Sequence, residues 1–129
     1  MKKEKEYLEQ ELTGRIIGAA IEVHHALGPG LLESVYQICL ERELEIQEIP
    51  FQRQLSLPVR YKDLVLDIGY RIDLLVDERV VVELKAVEHI DNVHEAQLLT
   101  YLRMAGKRVG LLINFNSPHL RDGIVRRVL

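Results

Sequence analysis

Two residues of opposite charge, Glu83 and Lys85, interrupt the apolar run Val80-Val81-Val82-Glu83-Leu84-Lys85-Ala86-Val87. Side chains of an extended strand alternate with a period of two, so both leave the backbone on one face. Ionised groups in such a run are costly to bury unless they pair or bind a metal. A third, Asp73, interrupts the preceding run Tyr70-Arg71-Ile72-Asp73-Leu74-Leu75-Val76. Only Asp77-Glu78-Arg79 separates the two runs, which predicts neighbouring antiparallel strands with Asp73 beside Glu83 and Lys85. Two carboxylates and a lysine on one patch of sheet suit a divalent-metal site for phosphodiester cleavage. The ordinary alternative is ion pairing: Glu83 with Lys85, worth ~0–1 kcal/mol if exposed, and Asp73 with Arg71 or Lys85.

The elements that must carry these residues follow from periodicity. Leu12, Ile16, Ala20, Val23 and Leu27 recur at spacings of three and four, predicting a helix from about Leu8 to Leu27. Gly28-Pro29-Gly30 ends it, since proline cannot continue a helix and glycine accepts left-handed backbone. A second helix is expected from Leu32 to Ile46, with Val35, Leu40 and Leu44 in the core, and Pro50 as its stop. Strands are then expected over Phe51 to Arg60, Leu64 to Val76 and Val80 to Val87, with Tyr61-Lys62-Asp63 as a turn and Pro58 marking an edge. Asn92 reads as the N-cap of a third helix reaching Ala105, with Glu95 in a capping box. Gly106 closes it, and Val109 to Phe115 forms a final strand. Two N-terminal helices, a three-strand meander, a crossover helix and a last strand imply an α/β fold with a mixed central β-sheet.

The bulk composition narrows the possibilities. The 129 residues are enough for one domain, expected to span residues 1–129, and 47% hydrophobic with 29% charged residues is ordinary for a globular protein. Five Tyr, two Phe and no Trp leave the core to Leu, Ile and Val. A net charge of −3 lacks the basic footprint of a typical nucleic-acid binder. The lone Cys39 excludes an internal disulfide, reads as a small core residue and fits a reducing cytoplasm. No apolar run approaches the ~18 residues of a membrane span. The mixed-charge start, Met1 to Glu6, is expected to fray.

Other residues could serve the same patch. Gln97 and Tyr101, four apart on the third helix, share a face with His94, and an amide and a phenol can bond phosphate or ribose oxygens. His94 could instead be a solvent-exposed helix start. Glu33 opens the second helix directly after the glycine break, where an acid also favours the helix dipole by ~0.3–1 kcal/mol. His24 and His25 sit at a helix C-terminus, where the dipole favours them more readily than a metal would. Arg103, Lys107, Arg108, Arg121, Arg126 and Arg127 make the last quarter basic, either a phosphate-contact surface or a solvated charged face.

Gly30-Leu31-Leu32-Glu33-Ser34-Val35-Tyr36 resembles the motif of the small GxxExxY proteins, and the likeness extends from about residue 8 to the C-terminus. It includes Leu27-Gly28-Pro29-Gly30 and Leu111-Leu112-Ile113-Asn114-Phe115. That family is placed in the PD-(D/E)xK nuclease superfamily, whose parts are matched in order by Glu33, Asp73, Glu83-Leu84-Lys85 and Gln97-Leu98-Leu99-Thr100-Tyr101. The last resembles the Gln-x-x-x-Tyr element of the RecB-like branch. The resemblance implies a restriction-endonuclease-like core and a metal-dependent nuclease acting on DNA or RNA. It also implies roles: Asp73, Glu83 and the Leu84 carbonyl as ligands of Mg²⁺ or Mn²⁺, and Glu33 for a second ion or a metal-bound water. Lys85 would steady the attacking water and the phosphate charge, with Gln97 and Tyr101 placing the phosphate or nucleotide. One departure stands out: Ile72, not proline, precedes Asp73. The alternatives are a catalytically weak binding or regulatory module on the same fold, and an enzyme on a small nucleotide or phosphorylated metabolite. A minimal core grips a duplex poorly, and a homodimer would remedy that.

Overall fold

The structure is a computed structural model that describes Lys5 and residues 7–129. Most of the N-terminal segment expected to fray lies outside the described residues. Helix α1 (Gln10–Leu27) buries Leu12, Ile16, Ala19, Ala20 and Val23, one stripe at helical spacing. Gly28, at φ 71°, ends it by donating its N–H to the His24 carbonyl. Helix α2 (Glu33–Ile46) buries Leu40 and Leu44 as expected, with Tyr36 in place of Val35. Both helices pack on one face of the sheet, against Leu74, Val76, Val82, Leu84, Leu111 and Ile113.

The main sheet has five strands in the order β1-β4-β5-β6-β7. They are β1 (Phe51–Ser56), β4 (Arg71–Val76), β5 (Val80–Lys85), β6 (Val109–Asn114) and β7 (Ile124–Val128). Among the described residues only β5 and β6 pair in parallel, joined by helix α3 (Asn92–Ala105) crossing the opposite face. The meander is therefore present as β1–β4–β5, and the mixed sheet flanked by helices has a restriction-endonuclease-like architecture. The turn between β4 and β5 places Asp77 and Glu78 at φ 50° and 61°, with the Arg79 N–H on the Val76 carbonyl at 3.0 Å. Two positive φ values give the backward-twisted turn that matches the twist of a hairpin.

Two strand assignments differ from expectation. The runs expected from Phe51 to Arg60 and from Leu64 to Val76 each break, and their inner parts form a separate hairpin, β2 (Val59–Tyr61) with β3 (Leu64–Leu66). Pro58 has no N–H to continue the ladder, and Gly69 takes φ 97° to turn the chain back. The strand β7 is additional, and it covers the outer edge of β6. Its arginines are spent internally: Arg126 bonds Thr13 Oγ1 and the Leu8 carbonyl, and Arg127 pairs with Glu95. Arg103 and Arg108 likewise bond Thr100 and the Leu129 carbonyl. Among the described residues no helix is long and apolar enough to cross a membrane.

Candidate active site

Cross-strand pairing of β4 with β5 runs from Val76↔Val80 to Leu74↔Val82. One step further the register sets Asp73 opposite Glu83, and side chains replace the backbone ladder. The Leu84 N–H donates to Asp73 Oδ2 at 2.8 Å, and the Asp73 N–H donates to Glu83 Oε1 at 3.3 Å. Each acid thus accepts a backbone N–H from the other's strand. N–H and C=O of one strand residue project to the same edge, so the Leu84 carbonyl also faces Asp73. The Lys85 carbonyl faces the other way, accepting from the Phe115 N–H at 2.9 Å.

Asp73 is freed on its second side as well. Pairing of β1 with β4 passes from Arg53↔Leu74 to Leu55↔Ile72, skipping Gln54, which has φ 48°. Such left-handed backbone is strained for a non-glycine residue and recurs at functional sites. Gln37 fills the gap: its amide donates to the Asp73 carbonyl at 3.1 Å and accepts from the Gln54 amide at 2.9 Å. Gln37 lies one helical turn after Glu33, so α2 braces the sheet at Asp73 through Gln37.

The electrostatics tie the group together. Glu83 is only 5% exposed. Burial first, and then the adjacent Asp73 charge, push its pKa up to about 9, with Lys85 opposing. Glu33 is also raised, by burial and then by Asp73, against the pull of Lys85. Tyr101, 7% exposed, is raised by burial and then by Glu83, Tyr70 and Asp73. Glu33, Asp73, Glu83, Lys85 and Tyr101 therefore share one electrostatic neighbourhood. Gln97 is half-buried one turn before Tyr101 and has no hydrogen bond to the acidic pair. His94 is a capping group instead: its Nδ1 accepts from the Asp91 N–H at 3.0 Å, so Asp91, not Asn92, caps α3. The expected capping residue, Glu95, pairs with Arg127. His24 Nε2 lies 2.8 Å from the Ser117 carbonyl, to which it donates.

Two further residues hold the segments that present the charges. Tyr36 donates its hydroxyl to the Gly28 carbonyl at 2.6 Å and accepts from the Leu31 N–H at 3.0 Å, while its ring stacks on Phe115 at 4.7 Å. The glycine break is thereby pinned just before Glu33. Asn114, 1% exposed, donates to the Val87 carbonyl at 2.9 Å and accepts from the Val87 N–H at 3.1 Å. Its amide acts as an extra peptide unit, continuing the β5–β6 pairing past Lys85.

This donor set suits a hard divalent cation. Two carboxylates held together, one with its pKa raised by burial and then by its neighbour's charge, would be relieved by a cation in place of the proton. Among the described residues no group of three His, Cys, Asp or Glu side chains converges on one point. Two carboxylates and a backbone carbonyl remain, which fits Mg²⁺, an ion that keeps several waters and takes few protein ligands.

The profile of the PD-(D/E)XK nuclease superfamily matches residues 10–128. The chain belongs to that superfamily. No curated protein and no solved structure matches the chain. Membership supports a nuclease-type function in broad outline, and PD-(D/E)XK nucleases generally use divalent metal ions. Sequence reasoning missed Gln37, Gln54, Asn114 and Tyr70 within this superfamily core. The signals were there for two of them: Gln37 follows Glu33 by one turn, and Asn114 is the polar end of a buried apolar run.

Proposed function

We propose that the protein is a metal-dependent nuclease that hydrolyses phosphodiester bonds of DNA or RNA at Asp73, Glu83 and Lys85. The observation that carries this reading is the reciprocal clasp of Asp73 and Glu83 where β4 and β5 part, with Lys85 on the same face. Asp73, Glu83 and the Leu84 carbonyl would hold Mg²⁺ or Mn²⁺, with Glu33 serving a second ion or an ordered water. When bound, the ion supplies polarisation of the phosphoryl oxygen and a lowered pKa for water. Lys85 places positive charge where the phosphorus gains negative charge, and orients the attacking water. Water adds to phosphorus, the bridging P–O bond breaks, and the departing oxygen takes up a proton. Gln97 and Tyr101 position the phosphate or its nucleotide from α3. The finer placement is in the GxxExxY group and near the RecB-like branch, supported by Gly30, Glu33 and Tyr36 around the pinned loop and by Gln97 and Tyr101 on one helix. The test is a Mn²⁺-supplemented cleavage assay on single- and double-stranded DNA and RNA. Glu83→Ala and Lys85→Ala should each lower the rate by about 10²–10³ or more, the scale of losing one transition-state contact. Hydrolysis that survives both substitutions overturns the assignment.

A further inference from the structure

Residues 57–69 take no part in the site described above, and with Tyr70 they leave and rejoin the sheet at its edge. Ser56 ends β1, Arg71 begins β4, and the two are paired. Arg71 lies two residues before Asp73, so the whole excursion projects from the end of the sheet that carries the acidic pair. Leu57 packs into the core, but the large side chains beyond it do not: Tyr61, Leu64, Val65, Ile68 and Tyr70 are all exposed. Tyr70 is 44% exposed, while its ring meets that of Tyr101 edge-on, with centroids 6.3 Å apart and planes at 64°. Its backbone is fixed by the Leu57 N–H on its carbonyl at 2.8 Å. One side of this aromatic is thus anchored on a residue of the candidate site, and much of the rest is open to solvent.

We propose that Tyr70, backed by the β2–β3 hairpin, stacks an unpaired base of the nucleic acid beside the phosphate held at Asp73 and Glu83. The proposal rests on the nuclease reading and names its substrate class: strands with unstacked, splayed bases rather than intact duplex. Every base offers a π-face, so an aromatic platform of this kind grips single strands without reading sequence. Bases inside a duplex are already stacked and cannot reach it. Charge favours the same occupant. Arg60 and Lys62 are exposed on the hairpin and Arg71 directly after Tyr70, and Lys62 Nζ lies 5.3 Å from the Tyr61 ring centre. Asp67, one of the two acids in the excursion, is turned back onto Ser56 Oγ at 3.1 Å. Continuity of Tyr70 with Tyr101, and of Tyr101 with the acids, favours nucleic acid over a second copy of the chain.

The experiment measures fluorescence anisotropy of the full chain with a labelled single strand and the matching blunt duplex, with Ca²⁺ in place of Mg²⁺. Wild type should prefer the single strand. Tyr70→Ala should weaken single-strand binding by about 5- to 100-fold and leave the duplex nearly unchanged, the loss expected for one stacked base. Tyr70→Leu keeps an apolar contact with Tyr101 but has no π-face, and it should lose affinity while remaining folded by circular dichroism. Tyr70→Phe should bind as wild type does. Unchanged single-strand affinity in both Tyr70→Ala and Tyr70→Leu overturns the platform alone, as does an equal loss on duplex. So does a dimer that sediments as monomer after Tyr70→Ala with oligonucleotide affinity unmoved. Failure of the wild type to bind either oligonucleotide overturns the platform and the nuclease reading together.

Discussion

Replacing Glu83 by glutamine keeps the shape of a protonated glutamic acid and removes its ability to ionise. The amide oxygen can still accept from the Asp73 N–H, and the amide N–H can donate to the Asp73 carboxylate. In the metal-free protein the wild-type carboxyl is raised from an ordinary 4.5 to about 9. The folded state therefore holds a proton that the unfolded chain has released throughout that window. Folding stability is complete below the unfolded value and falls as pH rises towards the folded one, by about 1.4 kcal/mol per pH unit. Near neutrality that amounts to roughly 3 kcal/mol, which Glu83→Gln escapes. Urea unfolding in EDTA across the mildly acidic to mildly alkaline range reads this directly. The difference between the two proteins isolates Glu83, because they differ at no other residue. Glu83→Gln should be the more stable near neutrality, with the gap widening as pH rises. Excess Mg²⁺ should reverse the order: at a hundred times its dissociation constant it adds about 2.7 kcal/mol to whatever binds it, and the glutamine variant has lost a ligand. A gap independent of pH would refute the burial argument. Equal Mg²⁺ stabilisation of both proteins would refute the ligand assignment.

Asp73→Asn keeps an oxygen for the Leu84 N–H and removes the like charge beside Glu83, so the metal-free protein should be unchanged or more stable in urea, while Mg²⁺-induced thermal stabilisation is lost. Asn114→Ala strands the Val87 N–H and C=O and should cost about 2–3 kcal/mol by denaturant unfolding. Gly110→Ala would place a Cβ 2.8 Å from Leu98 Cδ1 and 3.3 Å from Leu102 Cδ2, where α3 crosses β6; overpacking there should lower stability by about 1–3 kcal/mol. Oligonucleotide affinity should fall only gently with salt, with a log–log slope of about −1 to −3, because few cations border the site.

The acidic pair was legible for an energetic reason. A charge inside an apolar strand must be compensated, and a three-residue connection leaves little freedom of register, so the sequence alone puts Asp73 beside Glu83 and Lys85. The hairpin was not legible, because Leu64, Val65 and Leu66 are as apolar as the strand that follows. Period and hydrophobicity identify an extended segment but not its partner, and only Pro58 and Gly69 marked the excursion. The last strand was hidden by Arg126 and Arg127, whose heads reach α1 and α3 while their backbone continues the sheet. Gln37 and Asn114 act across long sequence separations on backbone groups, and no local pattern encodes such a bond.

An acidic chain and a polyanionic substrate are compatible only if affinity does not come from bulk charge. The C-terminal arginines cannot supply it as a group, since Arg103, Arg108, Arg126 and Arg127 already bond within the molecule. What remains is local. The clasp carries less negative charge than two free carboxylates, because burial, and then the adjacent Asp73 charge, raise the Glu83 pKa to about 9. On the proposed reading, a bound cation would reverse the sign of the field where the phosphate would sit. That coupling would then make metal occupancy a condition for substrate approach as well as for hydrolysis, and the strained Gln54 and its bond to Gln37 make structural sense as the means of holding Asp73 clear of β1.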